Sequence, residues 1–235
     1  MNIAVIFAGG VGKRMNNSIT PKQFLKVNNK EILSYTIEKF QNSEMIDGIV
    51  LVSLSDYIDK CNDLKNKYGF NKIVSIVPGG NTGQESIYNG LVEVERFFDS
   101  DAIVLIHDGV RPVITSDNIK TAINLTKEKG NAIPITGAID TIAINSKDGT
   151  LGEIVERNNC VHAKAPQAFF LKDILNAHKC AKKDNKTFID SASMMQYYGH
   201  KLWTFECSSD NIKITTPIDF FVFKGLIEAN DEEVK

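Results

Sequence analysis

Short apolar runs recur along the chain at regular intervals. Residues 3–7, 48–53, 72–77 and 102–106 are unalternating and rich in β-branched side chains. That pattern belongs to strands covered on both faces, as in a parallel sheet. Between them, residues 31–41 place Ile32, Leu33, Tyr35, Thr36, Ile37 and Phe40 at helical spacing. Residues 56–68, 84–97 and 116–129 read as further helices, the first and last of these stopped by Gly69 and Gly130. Strand and helix alternate to this point, which predicts an α/β fold: a mostly parallel twisted sheet with helices on both faces.

The alternation then breaks. Residues 132–136, 139–145 and 153–157 are short extended segments, with turn chemistry at Lys147-Asp148-Gly149. A hairpin-like excursion leaving the main sheet accounts for them. Such a ribbon is stable only when packed against something, and a second subunit is a natural partner. The chain returns through Ala165-Pro166-Gln167-Ala168-Phe169-Phe170 to helices at 172–183 and 190–198, and to a strand at 201–205. A last helix is expected to start with Thr216 as N-cap, Pro217 in the first turn and Asp219 beside the positive dipole end.

Composition narrows the classes. With 235 residues, one domain with an excursion is expected rather than two domains. Hydrophobic residues make up 43% and charged residues 24%, ordinary values for a globular protein. A formal net charge of -2 argues against a general nucleic-acid binder. Cys61, Cys160, Cys180 and Cys207 form no CxxC pair and no Cys/His ligand spacing, so neither zinc nor a disulfide framework is expected. No signal peptide or membrane-length run is seen, and a cytoplasmic protein without membrane insertion is expected.

Candidate chemistry begins directly after the first strand. Ala8-Gly9-Gly10-Val11-Gly12-Lys13-Arg14-Met15 leads on to Pro21-Lys22-Gln23. Glycines let the backbone approach a ligand closely, and Lys13, Arg14 and Lys22 add positive charge. Exposed N–H groups with fixed cations make a phosphate site. The loop is not a Walker A motif, because Arg14 stands where Ser or Thr is needed, nor a dinucleotide fingerprint, because Met15 replaces the third glycine. The plain alternative is a glycine-rich turn with solvated cations. The loops after Phe7, Val77 and Ile106 all lie at strand carboxyl ends and should converge on one crevice.

Six motifs in order carry a stronger signal: Ala8-Gly9-Gly10-x-Gly12-x-Arg14-Met15, Pro21-Lys22-Gln23, Gly79-Gly80 with Ser86, His107-Asp108-x-x-Arg111-Pro112, Pro166-Gln167-x-Phe169 and Asn211-Ile212-Lys213-Ile214-Thr215. The set resembles the cytidylyltransferases that act on phosphorylated sugar alcohols, the methylerythritol-phosphate and ribitol-phosphate enzymes, over roughly residues 2–229. The resemblance implies a single Rossmann-like nucleotidyltransferase domain over residues 1–235, with a dimerisation arm at about 139–161. It implies a CTP site built from Phe7, Ala8, Gly9, Gly10, Gly12 and Lys13, with Gly80, Asn81, Ser86 and Asp108. Arg14 and Lys22 would hold the triphosphate and the transition-state charge, and Lys213 would contact phosphates. Asp108 would lie near the ribose and Mg²⁺, and Arg157 would reach the acceptor in a partner's site. Arg111, Ala165, Ile189 and Asp190 fall, with Asp108 and Arg157, on the acceptor side.

The chemistry is consistent with these residue types. A phosphate monoester oxygen would attack the α-phosphorus of CTP and expel pyrophosphate. With a second pKa of about 6 the monoester is already mostly dianionic at neutral pH, so no activating base is required. Bringing two polyanions together demands cations and a metal instead. Mg²⁺ would bridge phosphates while keeping much of its water. Each residue also has a plainer reading: His107 as a structural histidine, Asp108 as a turn cap, Arg111 as a structural ion pair, Lys213 as a solvated cation. Trp203, Phe169-Phe170 and Tyr197-Tyr198 read as core or interface.

Three positions depart from the usual pattern. Gly83 stands where relatives have an arginine, and Ala165 and Ile189 stand where methylerythritol-phosphate enzymes have threonines. Removing two hydroxyls from a polyol site matters, since an unpartnered buried hydroxyl costs about 1–3 kcal/mol. These losses, with the ribitol-type Val110, favour CDP-ribitol formation from CTP and ribitol 5-phosphate. Formation of 4-diphosphocytidyl-methylerythritol is the alternative within the chemistry. A catalytically silent nucleotide-binding homologue is the alternative outside it, opposed by Arg14, Lys22 and Lys213.

Overall fold

In the computed structural model, which describes residues 1–9 and 20–233, β1 (Asn2–Ala8) runs through the middle of an eight-stranded sheet. A small hairpin of β2 (Lys26–Val27) and β3 (Lys30–Glu31) precedes α1 (Ile32–Gln41). Then follow β4 (Gly48–Ser53), α2 (Ile58–Tyr68), β5 (Ile73–Pro78), α3 (Gly83–Phe97), β6 (Ile103–Asp108) and α4 (Ser116–Lys129). β5, β4, β1 and β6 lie side by side and parallel.

The unalternating runs are explained by cover on both sides. Ala4, Ile6, Ile49, Leu51, Ile103 and Leu105 point into one core with side chains from α1, α2 and α4. Ile3, Val5, Val50, Val52, Val104 and Ile106 point into a second core against α3 and α5 (Leu171–Lys183). Period-two geometry thus sorts an apparently featureless run into two buried faces. Gly90 lets α3 lie close: a Cβ there would sit 2.7 Å from both Val5 Cγ1 and Val52 Cγ2.

The second half differs from simple alternation. After β7 (Asn131–Gly137), β8 (Ile142–Asn145) and β9 (Leu151–Val155) form a separate antiparallel ribbon. Ile139, Ile144, Leu151 and Ile154 on this excursion are exposed. β10 (Val161–Ala163) then rejoins β7, and β11 (Gln167–Phe170) pairs antiparallel with both β7 and β6. Together β10 and β11 are one strand interrupted at 164–166, where Ala165–Pro166 is a cis peptide. The expected connecting stretch around Pro166 is therefore an internal strand of the sheet; four residues are too few to show a period.

Other boundaries shift as well. β9 ends at Val155, which puts Arg157 in a short 3₁₀ turn over Arg157–Asn159 rather than in a strand. The strand expected at 201–205 is β12 (Thr204–Glu206), parallel to β7, after α6 (Ser191–Tyr197). The last helix is α7 (Pro217–Glu233), which puts Thr216 at the N-cap position and Asp219 in the first turn, as expected. The Asp219 carboxylate accepts from the backbone N–H groups of Thr215 and Thr216 at 2.8 and 2.7 Å and from both threonine hydroxyls at 2.9 Å. This N3 carboxylate reaching back to the N-cap backbone N–H is the returning half of a capping box.

Candidate active site

β1 sends the chain to β4 on one side, whereas its other neighbour, β6, is reached only after α3. The carboxyl ends of β1 and β6 therefore flank a topological switch point, the usual place for a ligand in such sheets. Phe7 and Asp108 are register partners there. A cleft of about 410 Å³ opens at this point, bounded by Phe7 and Asp108, the start of α3 at Thr82 and Gly83, and the β10–β11 break at Lys164 and Ala165.

Asp108 is the electrostatic centre of the cleft. Its carboxylate is buried and ion-paired on one oxygen with Lys213 Nζ and on the other with Arg111 Nε, the latter at 2.8 Å. Burial alone would raise its pKa, but Lys213 and Arg111 outweigh that and hold it down at about 2. Arg111 also donates from Nη1 to the Asn211 carbonyl at 2.9 Å. His107 is fully buried against Phe40, with Nε2 3.1 Å from the Arg111 carbonyl. Burial pushes its pKa down to about 4, so at neutral pH it is an uncharged structural group.

The 211–214 segment arrives here from far along the chain because several bonds stitch it down. Ile214 N–H donates to Val110 O at 2.9 Å, and Asn211 Nδ2 donates to Ala165 O at 2.7 Å. Lys22 Nζ donates to Ile214 O at 2.8 Å. Gln23 Nε2 in turn donates to Ala8 O at 2.7 Å, fixing the end of β1.

The second glycine loop is built by its own cap. Thr82 accepts from Glu85 N–H at 3.1 Å, and Glu85 Oε2 accepts from Asn81 N–H at 2.8 Å, a reciprocal capping arrangement. Ser86 Oγ accepts from Gly80 N–H at 3.1 Å and donates to Thr82 O at 2.9 Å, so its hydroxyl is used within the loop. The loop touches β1's end at Gly9, where a Cβ would come within 3.0 Å of Ser86 Oγ. A Cβ on Gly83, by contrast, would meet nothing within 4 Å.

The opposite wall is pinned by two glutamines. Gln167 Nε2 donates to Asp190 Oδ2 at 2.9 Å, and its Oε1 accepts from Ala192 N–H at 2.9 Å. Asp190 also caps α6, accepting from Ser193 N–H at 2.8 Å on its other oxygen. Gln84 Oε1 accepts from Phe188 N–H at 2.8 Å. Ile189, between these anchors, is 95% exposed at the cleft.

Phe7, Asp108, Arg111, Ala165, Ile189, Asp190 and Lys213 thus come together around one cleft. Ala8, Gly9, Gly80, Asn81 and Ser86 form the abutting loops, and Lys22 anchors the 211–214 segment. Arg157 does not line this cleft; it sits on the excursion, donating to Ile139 O at 3.1 Å. Gly10, Gly12, Lys13 and Arg14 lie outside the described residues. Sequence reasoning missed Lys164, Gln84 and His178, which also line the cleft. The Thr82-x-x-Glu85 spacing could have flagged the capped loop, but nothing local marks His178. Among the described residues no group of three His, Cys, Asp or Glu could hold a metal. Asp108 as a lone ionised carboxylate suits an ion held chiefly by substrate phosphates. No helix among the described residues is long and apolar enough to cross a membrane.

Comparison with known proteins agrees with this geometry. Residues 2–228 match the family described as IspD, 2-C-methyl-D-erythritol 4-phosphate cytidylyltransferase. A ribitol-5-phosphate cytidylyltransferase of Vibrio parahaemolyticus is 45% identical over 232 residues, covering 98% of each chain. A 2-C-methyl-D-erythritol 4-phosphate cytidylyltransferase of Clostridium botulinum is 42% identical over 227 residues, 97% of each. Among solved structures, the 4-diphosphocytidyl-2C-methyl-D-erythritol synthase of Anaerococcus prevotii superposes with a TM-score of 0.82 at 26% identity, covering 96% of this chain and 95% of that one. With its cleft at the switch point and these relationships over almost its whole length, the chain belongs to the IspD family of cytidylyltransferases, nucleotidyltransferases by reaction class.

Proposed function

We propose that the protein transfers CMP from CTP to ribitol 5-phosphate, giving CDP-ribitol and pyrophosphate, as a cytoplasmic homodimer. The observation that carries this reading is the acceptor wall: Ala165 and Ile189 line it without a hydroxyl, in a chain 45% identical to ribitol-5-phosphate cytidylyltransferases. Methylerythritol phosphate remains the second reading, because relatives so named reach 42% identity. A silent homologue is disfavoured by the Lys213–Asp108–Arg111 centre, an unprofitable burial of charge without a substrate to bind.

In this mechanism the acceptor phosphate supplies its own dianionic nucleophile. His107 is neutral, buried and engaged with Arg111 O, so it takes no proton from the substrate. Lys213 and Lys22 bring positive charge to the phosphates, with Arg14, Lys13, Gly10 and Gly12 of the first loop completing that cradle. The 79–86 loop takes the base and Asp108 lies near the ribose. Asp108 would also hold Mg²⁺, which when bound neutralises phosphate charge and supports the leaving pyrophosphate. Arg157, on the excursion, would reach the acceptor in a partner's site.

Pyrophosphate release with CTP, Mg²⁺ and each acceptor phosphate tests the reading. Turnover with ribitol 5-phosphate, abolished in Lys22→Ala, is expected; turnover with methylerythritol phosphate alone overturns the acceptor assignment.

A further inference from the structure

Lys164 stands at the break between β10 and β11. Its N–H donates to Pro134 O at 2.8 Å, which holds the backbone in register with β7 while the side chain lines the cleft, half-buried. No carboxylate among the described residues pairs with it. Asp108 is committed to Arg111 and Lys213, and Asp190 to Gln167 and the start of α6. Burial and the nearby Arg111 guanidinium pull the Lys164 ammonium below the usual lysine value. A partly desolvated cation beside another cation is stabilised by an anion and by little else.

Thr187 and Ser191 bring hydroxyls to this wall, but Ala165 and Ile189 of the acceptor reading do not. Ala165 is next in sequence, and Ile189 offers only a hydrocarbon side chain. Gln167, Thr187, Asp190 and Ser191 also line this side, and Lys164 is the cation among them. We propose that Lys164 binds the phosphate monoester of the acceptor, supplying the positive charge that the other residues of this wall do not carry. The proposal rests on the reading that the acceptor is a phosphorylated polyol. It is distinct from the triphosphate contacts, which gather around the glycine loops, Lys22 and Lys213.

The test compares wild type, Lys164→Met, Lys164→Gln and Lys164→Arg in steady-state kinetics with ribitol 5-phosphate and CTP. Methionine keeps the volume and removes the charge. A charge-assisted hydrogen bond lost on binding raises the acceptor KM roughly tenfold or more. The KM for CTP should change less than about twofold, and arginine should restore much of the acceptor affinity by returning the charge. An unchanged acceptor KM in both uncharged variants, or an equal rise in the two KM values, overturns the proposal. Absence of wild-type turnover with every acceptor sinks the functional reading instead. Calorimetric titration with ribitol 5-phosphate then decides for Lys164 by itself: weaker binding to Lys164→Met supports it, and equal or undetectable binding to both proteins overturns it.

Discussion

Asn211 donates a 2.7 Å hydrogen bond from Nδ2 to the Ala165 carbonyl, joining residues 46 apart in sequence across the cleft wall. Asn211 is 1% exposed, and its own carbonyl accepts from Arg111 at 2.9 Å. One residue therefore ties the Lys213 segment to both the acceptor wall and the Asp108 centre. In Asn211→Ala, the Ala165 carbonyl loses its partner, which costs about 1–3 kcal/mol in urea denaturation. Lys213 is also released from its placement, so pyrophosphate release should fall by about tenfold or more, as expected for a misplaced charge.

Asp108 makes stability depend on pH in a defined direction. Its folded pKa of about 2 lies below the ordinary aspartate value, so the folded state prefers the ionised form. The resulting stabilisation is full above about pH 4, the unfolded value, and is lost as pH falls through about 2. Asp108→Asn leaves Arg111 and Lys213 facing no anion, and should cost about 3 kcal/mol at pH 7 by the precedent of broken buried pairs. The gap between the two proteins in chemical denaturation should narrow steadily between pH 4 and pH 2. A constant gap would count against the ion-pair account.

Gly90 reports how tightly α3 lies on the sheet. Alanine would gain about 1 kcal/mol of helix propensity. Its Cβ would meet Val5 and Val52 at 2.7 Å, both on strands buried on each face, and overpacking of that kind costs about 1–3 kcal/mol. Gly90→Ala is expected to lower the thermal midpoint despite the better propensity. A raised midpoint would mean that the helix can move away freely.

Gln167 separates wall from nucleotide. Removing it in Gln167→Ala frees Asp190 and the Ala192 N–H together, loosening the segment that carries Ile189. The acceptor KM should rise several-fold while the CTP KM stays near wild type, the pattern of lost binding on one side only.

Arg157→Ala examines the excursion. Arg157 is outside its own cleft, so CTP affinity measured by calorimetry should be unchanged while turnover falls by about a hundredfold, the scale of a charged contact to phosphate. If the proposed dimer forms through the exposed apolar side chains Ile144, Leu151 and Ile154, sedimentation should show the same mass for the variant as for wild type. Full turnover in the variant would remove Arg157 from the mechanism.

Much of this molecule is written locally. The runs at 48–53 and 102–106 and the helices between them follow from period and stop signals, and β4 and β6 lie where those runs lie. The glycine loops and the six ordered motifs were enough to reach the family. Lys22 and Lys213 were legible as cations of the site motifs, but not that Lys22 would brace the backbone beside Lys213, 192 positions away at Ile214. Thr216 stands at the N-cap position as expected, but only the folded turn brings the Asp219 carboxylate to four donors of Thr215 and Thr216.

The sequence by itself determined most strands and helices of the first half, and which residues have chemistry suited to a nucleotide, since periodicity and side-chain type are properties of neighbouring positions. Only the tertiary structure decided that 167–170 enters the sheet between β6 and β7, that Asp108 joins Arg111 to Lys213, and that Lys164 faces the cleft with no carboxylate among the described residues paired with it. Those outcomes depend on strand order and long-range hydrogen bonds, whose partners lie tens to hundreds of residues apart and leave no periodic trace in the chain.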